Sequence, residues 1–416
     1  MEGSITWVGI DAHKKTLAVA VLRPGRREPE EFTIDNDERA IRRLVRRLQR
    51  DSGGREVRAC YEAGTCGYTL QRRVEAAGGV VCEVIAPSLI PRKPGDRIKT
   101  DRRDARKLAE LYRAGILTTV APPSPQQEAL RDLCRCREDV RADLGRCRHR
   151  LVKMLVRRGY VFTGTSHLWS EAHRRWLRSL AFDNDVDRIV VAEYMLAVDQ
   201  AERRLRAMDA EMEKAAQLPL YREHVAWLRC FRGIDTTTAM IFVAELHGIE
   251  RFGSPRDLAA YLGLVPRVHA SGDAVRHGSI TKTGNGHIRR ALVQAAWQYR
   301  HRPGIGTKLR ARRLGQPPRV LAIADEAQRR LSGRFYRLLA RGKHPNKVVI
   351  AVVRELVGFL WAALREHREP ARHGARISTL SEGVNASAAP RSASATKPSR
   401  PEVGQRRKAR KEKRAA

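Results

Sequence analysis

Residues 6–22, TWVGIDAHKKTLAVAVL, read as two apolar strand-like runs, Thr6 to Ile10 and Thr16 to Leu22, joined by a short polar connection. So few residues between runs leave room only for a tight turn, so the two strands are expected to pair as a hairpin. Asp11 ends the first run, where its carboxylate would project near the centre of a sheet, and the basic HKKT leads into the second run.

Working outward, a third run, Glu31 to Ile34, precedes a helical pattern from about Asp37 to Leu48, and a strand follows at Glu56 to Tyr61. Next come a helix from Thr69 to Ala77, a strand at Val80 to Ile85, a Pro- and Arg-rich loop, and a helix through Asp104 to Arg113. Three hairpin-linked strands followed by right-handed crossovers produce a mixed α/β sheet with helices on its faces. That is the layout of ribonuclease-H-like domains, and it assigns residues 1–120 to one such domain.

With 416 residues and 42% apolar content, the chain should divide into two or three domains with real cores. Eighty-one Lys and Arg against 46 Asp and Glu give a net charge of +35. No amphipathic anchor or long uncharged apolar run accompanies that charge, so it points to nucleic acid and away from a membrane. The most apolar late stretch, Val348 to Leu364, is interrupted by Arg354 and Glu355 and reads as a core helix. Nothing at the start resembles a signal peptide, and a cytoplasmic location is expected. The seven cysteines form an odd set; Cys134, Cys136 and Cys147 lack the spacing of a zinc site, so reduced structural thiols are expected.

From about Pro125 to Leu218, within a region drawn at 121–226, the sequence becomes long charged helices with apolar positions at Leu130, Leu133, Val140, Leu144, Leu151 and Leu155. Such helices bridge domains or pair with a partner chain; a solvated bundle fits equally, because no heptad register is sustained. A second compact, mainly helical domain is drawn at 227–368. Within it, Ser254-Pro255-Arg256-Asp257 supplies an N-cap, a proline at the first helical position and an acid in the first turn. The tail, 369–416, turns to Ala, Ser, Pro, Arg and Lys, a composition expected to stay disordered and add non-specific affinity for nucleic acid.

Three further acids stand with Asp11. Glu62 follows the strand-like VRACY and precedes AGTCGY, whose glycines end the strand. Asp101 and Asp104, in KTDRRDARKLAE, are three residues apart at a helix start and so share a side of it. Taken alone, that pair also reads as a helix cap plus a solvated face, because a helix N-terminus favours negative charge. If the strands of Asp11 and Glu62 are neighbours, all four carboxylates converge, and such a cleft suits one or two Mg²⁺ ions, or Mn²⁺, acting on a phosphodiester. Lys14, Lys15, Lys99, Arg102 and Arg103 are placed to hold the phosphate backbone around it. His13 is read as a polar loop residue outside the metal shell.

The later half carries a second set. Gly233, in RGIDTTTA, resembles the hairpin of a helix-hairpin-helix unit that binds phosphate through backbone amides; a simple helix start capped by Asp235 or Thr236 fits as well. Ser271, in HASGD, is presented among Arg267, His269, Arg276, His277 and Lys282. A hydroxyl among cations can attack phosphorus, whereas Ser-Gly pairs also mark ordinary turns. KTGNGHIRR reads as a Gly-rich turn capped onto a basic helix, with Asn285, Arg289 and Arg290 able to hold phosphates.

Taken together, VGIDAHKKT, YEAGTCGY, KTDRRDARKLAELYRAG, RGIDTTTA, GLVPRVHASG, ITKTGNGHIRRAL and KVVIAVVRELVGFLWAAL resemble the DEDD transposases of bacterial insertion sequences. The resemblance runs from Trp7 to about Leu364. It implies a RuvC-like first domain whose acidic tetrad, here Asp11, Glu62, Asp101 and Asp104, binds Mg²⁺. A separate transposase domain with a serine nucleophile, Ser271 by its place after GLVP, is also implied. So are a homo-oligomer, dimer or tetramer, DNA as substrate, and a structured guide RNA encoded by the element. Two other readings remain: a metal-dependent Holliday-junction-type endonuclease using the tetrad alone, and a non-catalytic nucleic-acid-binding protein.

Overall fold

The computed structural model describes residues 5–91, 100–164, 167–271 and 274–365. Its first part is a six-stranded sheet of β1 (Thr6–Ala12), β2 (Thr16–Leu22), β3 (Glu30–Asp35), β4 (Val57–Glu62), β5 (Val81–Ile85) and β6 (Thr119–Val120), in the order β3-β2-β1-β4-β5-β6. The hairpin strands β1, β2 and β3 are antiparallel, β1, β4 and β5 are parallel, and β6 pairs antiparallel with β5. The mixed sheet expected from the element order is therefore present. Only β6 was unforeseen, since two residues are too few to show a period.

Strand alternation divides the sheet into two chemically different faces. Val8, Ile10, Val19 and Val21 turn to one side and pack on Ile41, Leu44, Val45 and Leu48 of α1 (Glu38–Ser52) and on Leu70 and Val74 of α2 (Thr69–Ala76). On the other side Ala18, Ala20 and Cys60 lie under Ala105, Leu108 and Ala109 of α3 (Asp101–Arg113). Gly9 belongs to this second face, and a Cβ built on it would fall 2.1 Å from the Ala105 carbonyl oxygen and 2.5 Å from the Ala109 nitrogen. Small residues on both partners thus let the α3 backbone rest on β1.

The chain continues into α4 (Pro125–Arg157), α5 (Glu171–Ser179) and α6 (Asp185–Ala215). At 33 residues α4 spans about 50 Å. It packs along α6 through Leu144, Val198 and Ala201, and beyond them through Leu151, Met154, Leu155 and Val191 with Leu177 of α5. At the opposite end Leu130 and Cys134 of α4 and Met212 of α6 join the largest core. That core is helical, formed by α7 (Arg222–Leu228), α8 (Thr236–Leu246), α9 (Pro255–Tyr261), α10 (Gly286–Ala296), α12 (Pro318–Ala340) and α13 (Pro345–Leu364), with α11 (Thr307–Arg313) beside them. Ser254 caps α9 in a full capping box with Asp257, as its sequence predicts. The apolar helix α13 is buried, and its Glu355 is paired with Arg330 and Arg334 of α12. A two-stranded ribbon, β7 (Pro266–Ser271) and β8 (Ala274–Ile280), completes this half. Among the described residues no helix is long and apolar enough to cross a membrane.

Candidate catalytic and nucleic-acid site

The register of β1 and β4 pairs Ile10 with Tyr61. One step further along both parallel strands stand Asp11 and Glu62. Period-two alternation sets Asp11 on the face of Gly9 and Glu62 on that of Cys60, which is the face covered by α3. Thr100 begins α3, its hydroxyl oxygen accepting from the Arg103 amide at 3.4 Å, so Asp101 and Asp104 occupy the first helical turn. The negative charge there meets the positive end of the helix dipole.

His13, expected as a polar loop residue outside the metal shell, instead bridges Asp11 and Asp101. His13 Nε2 lies 3.1 Å from Asp11 Oδ2 and 3.3 Å from Asp101 Oδ1. Among the described residues these three side chains offer ligand atoms all within 4.8 Å of one another, and Glu62 and Asp104 stand outside that set. The turn holds His13 in place: its amide donates to Thr16 O at 2.9 Å, and Asn36 Nδ2 donates to its carbonyl at 2.8 Å. The available sequence signal was its position two residues after Asp11 in a hairpin too short to carry it elsewhere.

Burial raises the pKa of Asp11; His13 pulls it down, the charges of Asp104 and Asp101 push it up again, and the net result is a raised value. The two α3 carboxylates thus act on a partly desolvated Asp11. Hard oxygen donors under mutual repulsion match what Mg²⁺ or Mn²⁺ prefers. The donor set fits such an ion. Lys14, Lys15, Arg102 and Arg103 are exposed around the site, and Lys99 lies outside the described residues.

In the second half Ser271 is exposed at the end of β7, paired across the ribbon with Ala274. Alternation puts Arg267 and His269 on its face of the ribbon, with Arg276 opposite His269, while Val268 and Val275 are left exposed. Lys282 adopts a left-handed backbone, its amide bonded to Gly263 O at 3.1 Å, and its side chain is exposed.

Three expected phosphate contacts have internal duties. Gly233 has φ +81°, and a Cβ there would meet the Ala295 oxygen at 2.3 Å, so close packing on α10 accounts for the glycine. The start of α8 is capped by Asp235, which accepts from the Thr238 amide at 2.8 Å. Asn285 caps α10 by accepting from Ile288 N at 3.0 Å, and its Nδ2 donates to Glu245 Oε2 at 2.7 Å. Arg289 donates to Leu262 O at 2.8 Å. Sequence alone does not show which way a polar tip turns. Arg290 is exposed in a cleft of about 200 Å³ at the start of α8, lined also by Arg137, Glu138, Arg141, Asp235 and Thr238, and its Nη1 lies 3.6 Å from Glu138 Oε1.

Glu245, which gave no sequence signal, ties the helical arm to this half. Only 2% exposed, it accepts from Arg135 Nε at 2.7 Å and Nη2 at 3.1 Å as well as from Asn285. Burial pushes its pKa up, but the hydrogen bonds from Arg135 and Asn285 prevail and hold it below the usual value.

Comparison with known proteins bears on both halves. The model of the family described as Transposase IS116/IS110/IS902 matches residues 226–310, and a transposase model of the IS110 DEDD group matches residues 8–158. A Sinorhizobium fredii protein named as a transposase, y4qE, is 39% identical over 365 residues, 87% of this chain and 89% of its own length. The transposase for insertion sequence element IS1533 of Leptospira borgpetersenii is 37% identical over 343 residues, 81% of this chain and 97% of its own. Similarity at that level over most of both chains, joined to the mixed sheet and the helical second half, places the protein: it belongs to the IS110 family of insertion-sequence transposases, enzymes that cleave DNA and transfer its strands.

Proposed function

We propose that Asp11, Glu62, Asp101 and Asp104 form a divalent-metal centre and that Ser271 is the nucleophile of strand exchange, in a homo-oligomer directed by an element-encoded RNA. The observation that carries this reading is the meeting of Asp11 with the α3 acids: Asp101 and Asp104 both act on its charge, and Glu62 follows on the next strand. The division into residues 1–120, 121–226 and 227–368 is part of the same proposal; the sheet and the far end of the arm have buried clusters of their own, while the near end of the arm shares the core of the helical half.

Mg²⁺ or Mn²⁺ held by the four acids would supply charge neutralisation at the transferring phosphate. The chain's own groups do the rest. Lys14, Lys15, Arg102 and Arg103 hold the backbone around the acids; Arg267, Arg276 and Lys282 hold it around the serine, and Arg290 grips it in the α8 cleft. Ser271 Oγ forms a bond to phosphorus as the bond to the leaving sugar oxygen breaks, and its proton passes to a neighbouring base or water. The phosphoserine link retains the phosphodiester energy, so a new strand end can displace the serine and rejoin without ATP.

The test uses labelled DNA carrying the element's ends. A protein–DNA adduct is expected with the unaltered chain and none with Ser271→Ala. Cleavage without any adduct would instead favour a hydrolytic junction nuclease working through the acids alone.

A further inference from the structure

We propose that His13 is a direct ligand of the divalent ion, so that the centre contains one nitrogen donor among its carboxylates. The inference rests on the metal reading above and deepens it. Two bridging contacts carry it: Nε2 lies 3.1 Å from Asp11 Oδ2 and 3.3 Å from Asp101 Oδ1. A ring nitrogen bears at most one hydrogen, so as a donor it must share that hydrogen between the two carboxylates in a weaker three-centre bond. As a ligand it satisfies both relations together. Adjacent ligands of an octahedral ion with bonds near 2.1 Å stand about 3.0 Å apart, close to the two spacings found here.

Placement of the residue favours the same role. Bonds from its own backbone to Thr16 and Asn36 fix the turn that carries it. The ring is half exposed, so it has not been drawn inward to fill the core. Imidazole suits Mn²⁺ better than Mg²⁺, which prefers oxygen and keeps its waters. His13 therefore biases the centre toward Mn²⁺, a preference that carboxylates alone would not create.

Mn²⁺ bound to the full chain in the absence of DNA serves as the probe, read by electron spin-echo envelope modulation and by a binding titration. Nitrogen modulation from a histidine is expected in the unaltered protein and should vanish in His13→Ala. Affinity for Mn²⁺ should then fall about 10-fold or more, and affinity for Mg²⁺ by less. Mn²⁺ binding that depends on Asp11 but shows no nitrogen modulation, or modulation that survives His13→Ala, would overturn the assignment and leave the acidic centre standing. Mn²⁺ binding indifferent to Asp11→Asn would remove the metal reading and this inference with it.

Discussion

Gly9→Ala adds one methyl group at the place where the fold and the site depend on the same contact. The new Cβ would lie 2.1 Å from the Ala105 carbonyl oxygen and 2.5 Å from the Ala109 nitrogen, both atoms of the α3 backbone. A backbone cannot rotate out of the way as a side chain can, so α3 must retreat by about 1 Å to restore ordinary contact. Overpacking of this kind costs about 1–3 kcal/mol. The helix carries Asp101 and Asp104 with it, away from Asp11. A displacement of about 1 Å in a positioned site lowers rate by roughly 100-fold. Thermal unfolding and single-turnover cleavage of element-end DNA should therefore fall together. Ser271 lies in the other half of the chain and serves as the control: Ser271→Ala should lose strand transfer with little change in stability. A Gly9→Ala protein with unchanged melting temperature and full cleavage rate would refute the idea that close contact between α3 and β1 assembles the acids.

Two further outcomes concern the helical half. His247 sits with φ 55° at the end of α8; burial, with Arg131 and Arg251 nearby, depresses its pKa to about 4. Arg131 Nη1 faces its Nε2 at 3.3 Å, which requires the neutral ring as acceptor. The unfolded chain gains that proton below about 6.5 and the folded chain only near 4, so stability is full above the higher value and declines toward the lower, by about 3 kcal/mol. His247→Asn, which tolerates the left-handed backbone, should flatten that part of the pH profile in denaturant titrations; an unchanged slope would exclude His247 as its source. Glu245→Gln keeps the acceptor for Asn285 but weakens the two-point bond to Arg135, and should cost about 1–3 kcal/mol by denaturant midpoint. An unshifted midpoint would mean that the helical arm is held by its apolar contacts alone.

The sheet was legible because its residues satisfy two demands at once. Val8 and Ile10 alternate with Gly9 and Asp11, and only one strand placement buries the first pair while leaving the second against a helix. The α3 start was legible from Thr100 and the paired aspartates, since capping is a local interaction. Less could be read where geometry depends on distant partners. His13 looks like any turn histidine until Asp101, 88 residues later, comes beside it. Asn285 and Arg289 read as phosphate contacts, and the bonds they make to Glu245 and to the Leu262 carbonyl are distant partners that no spacing could name. Of the apolar positions spaced along the long helix, Leu130, Val140, Leu144, Leu151 and Leu155 are buried and Leu133 is partly so. Their neighbours were not readable, because a spacing gives the face of a helix and not what covers it.

If acids far apart in the chain surround one divalent ion, iron-directed cleavage of the polypeptide reads their proximity in a single experiment. Fe²⁺ substituted into the centre and treated with ascorbate and peroxide produces radicals that cut only nearby backbone. Cuts are expected to cluster around residue 11, residue 62 and residues 101–104, to be suppressed by excess Mg²⁺ and to be absent in Asp11→Asn. Cuts confined to one of these segments, or a pattern unchanged by Mg²⁺ and by Asp11→Asn, would contradict that arrangement.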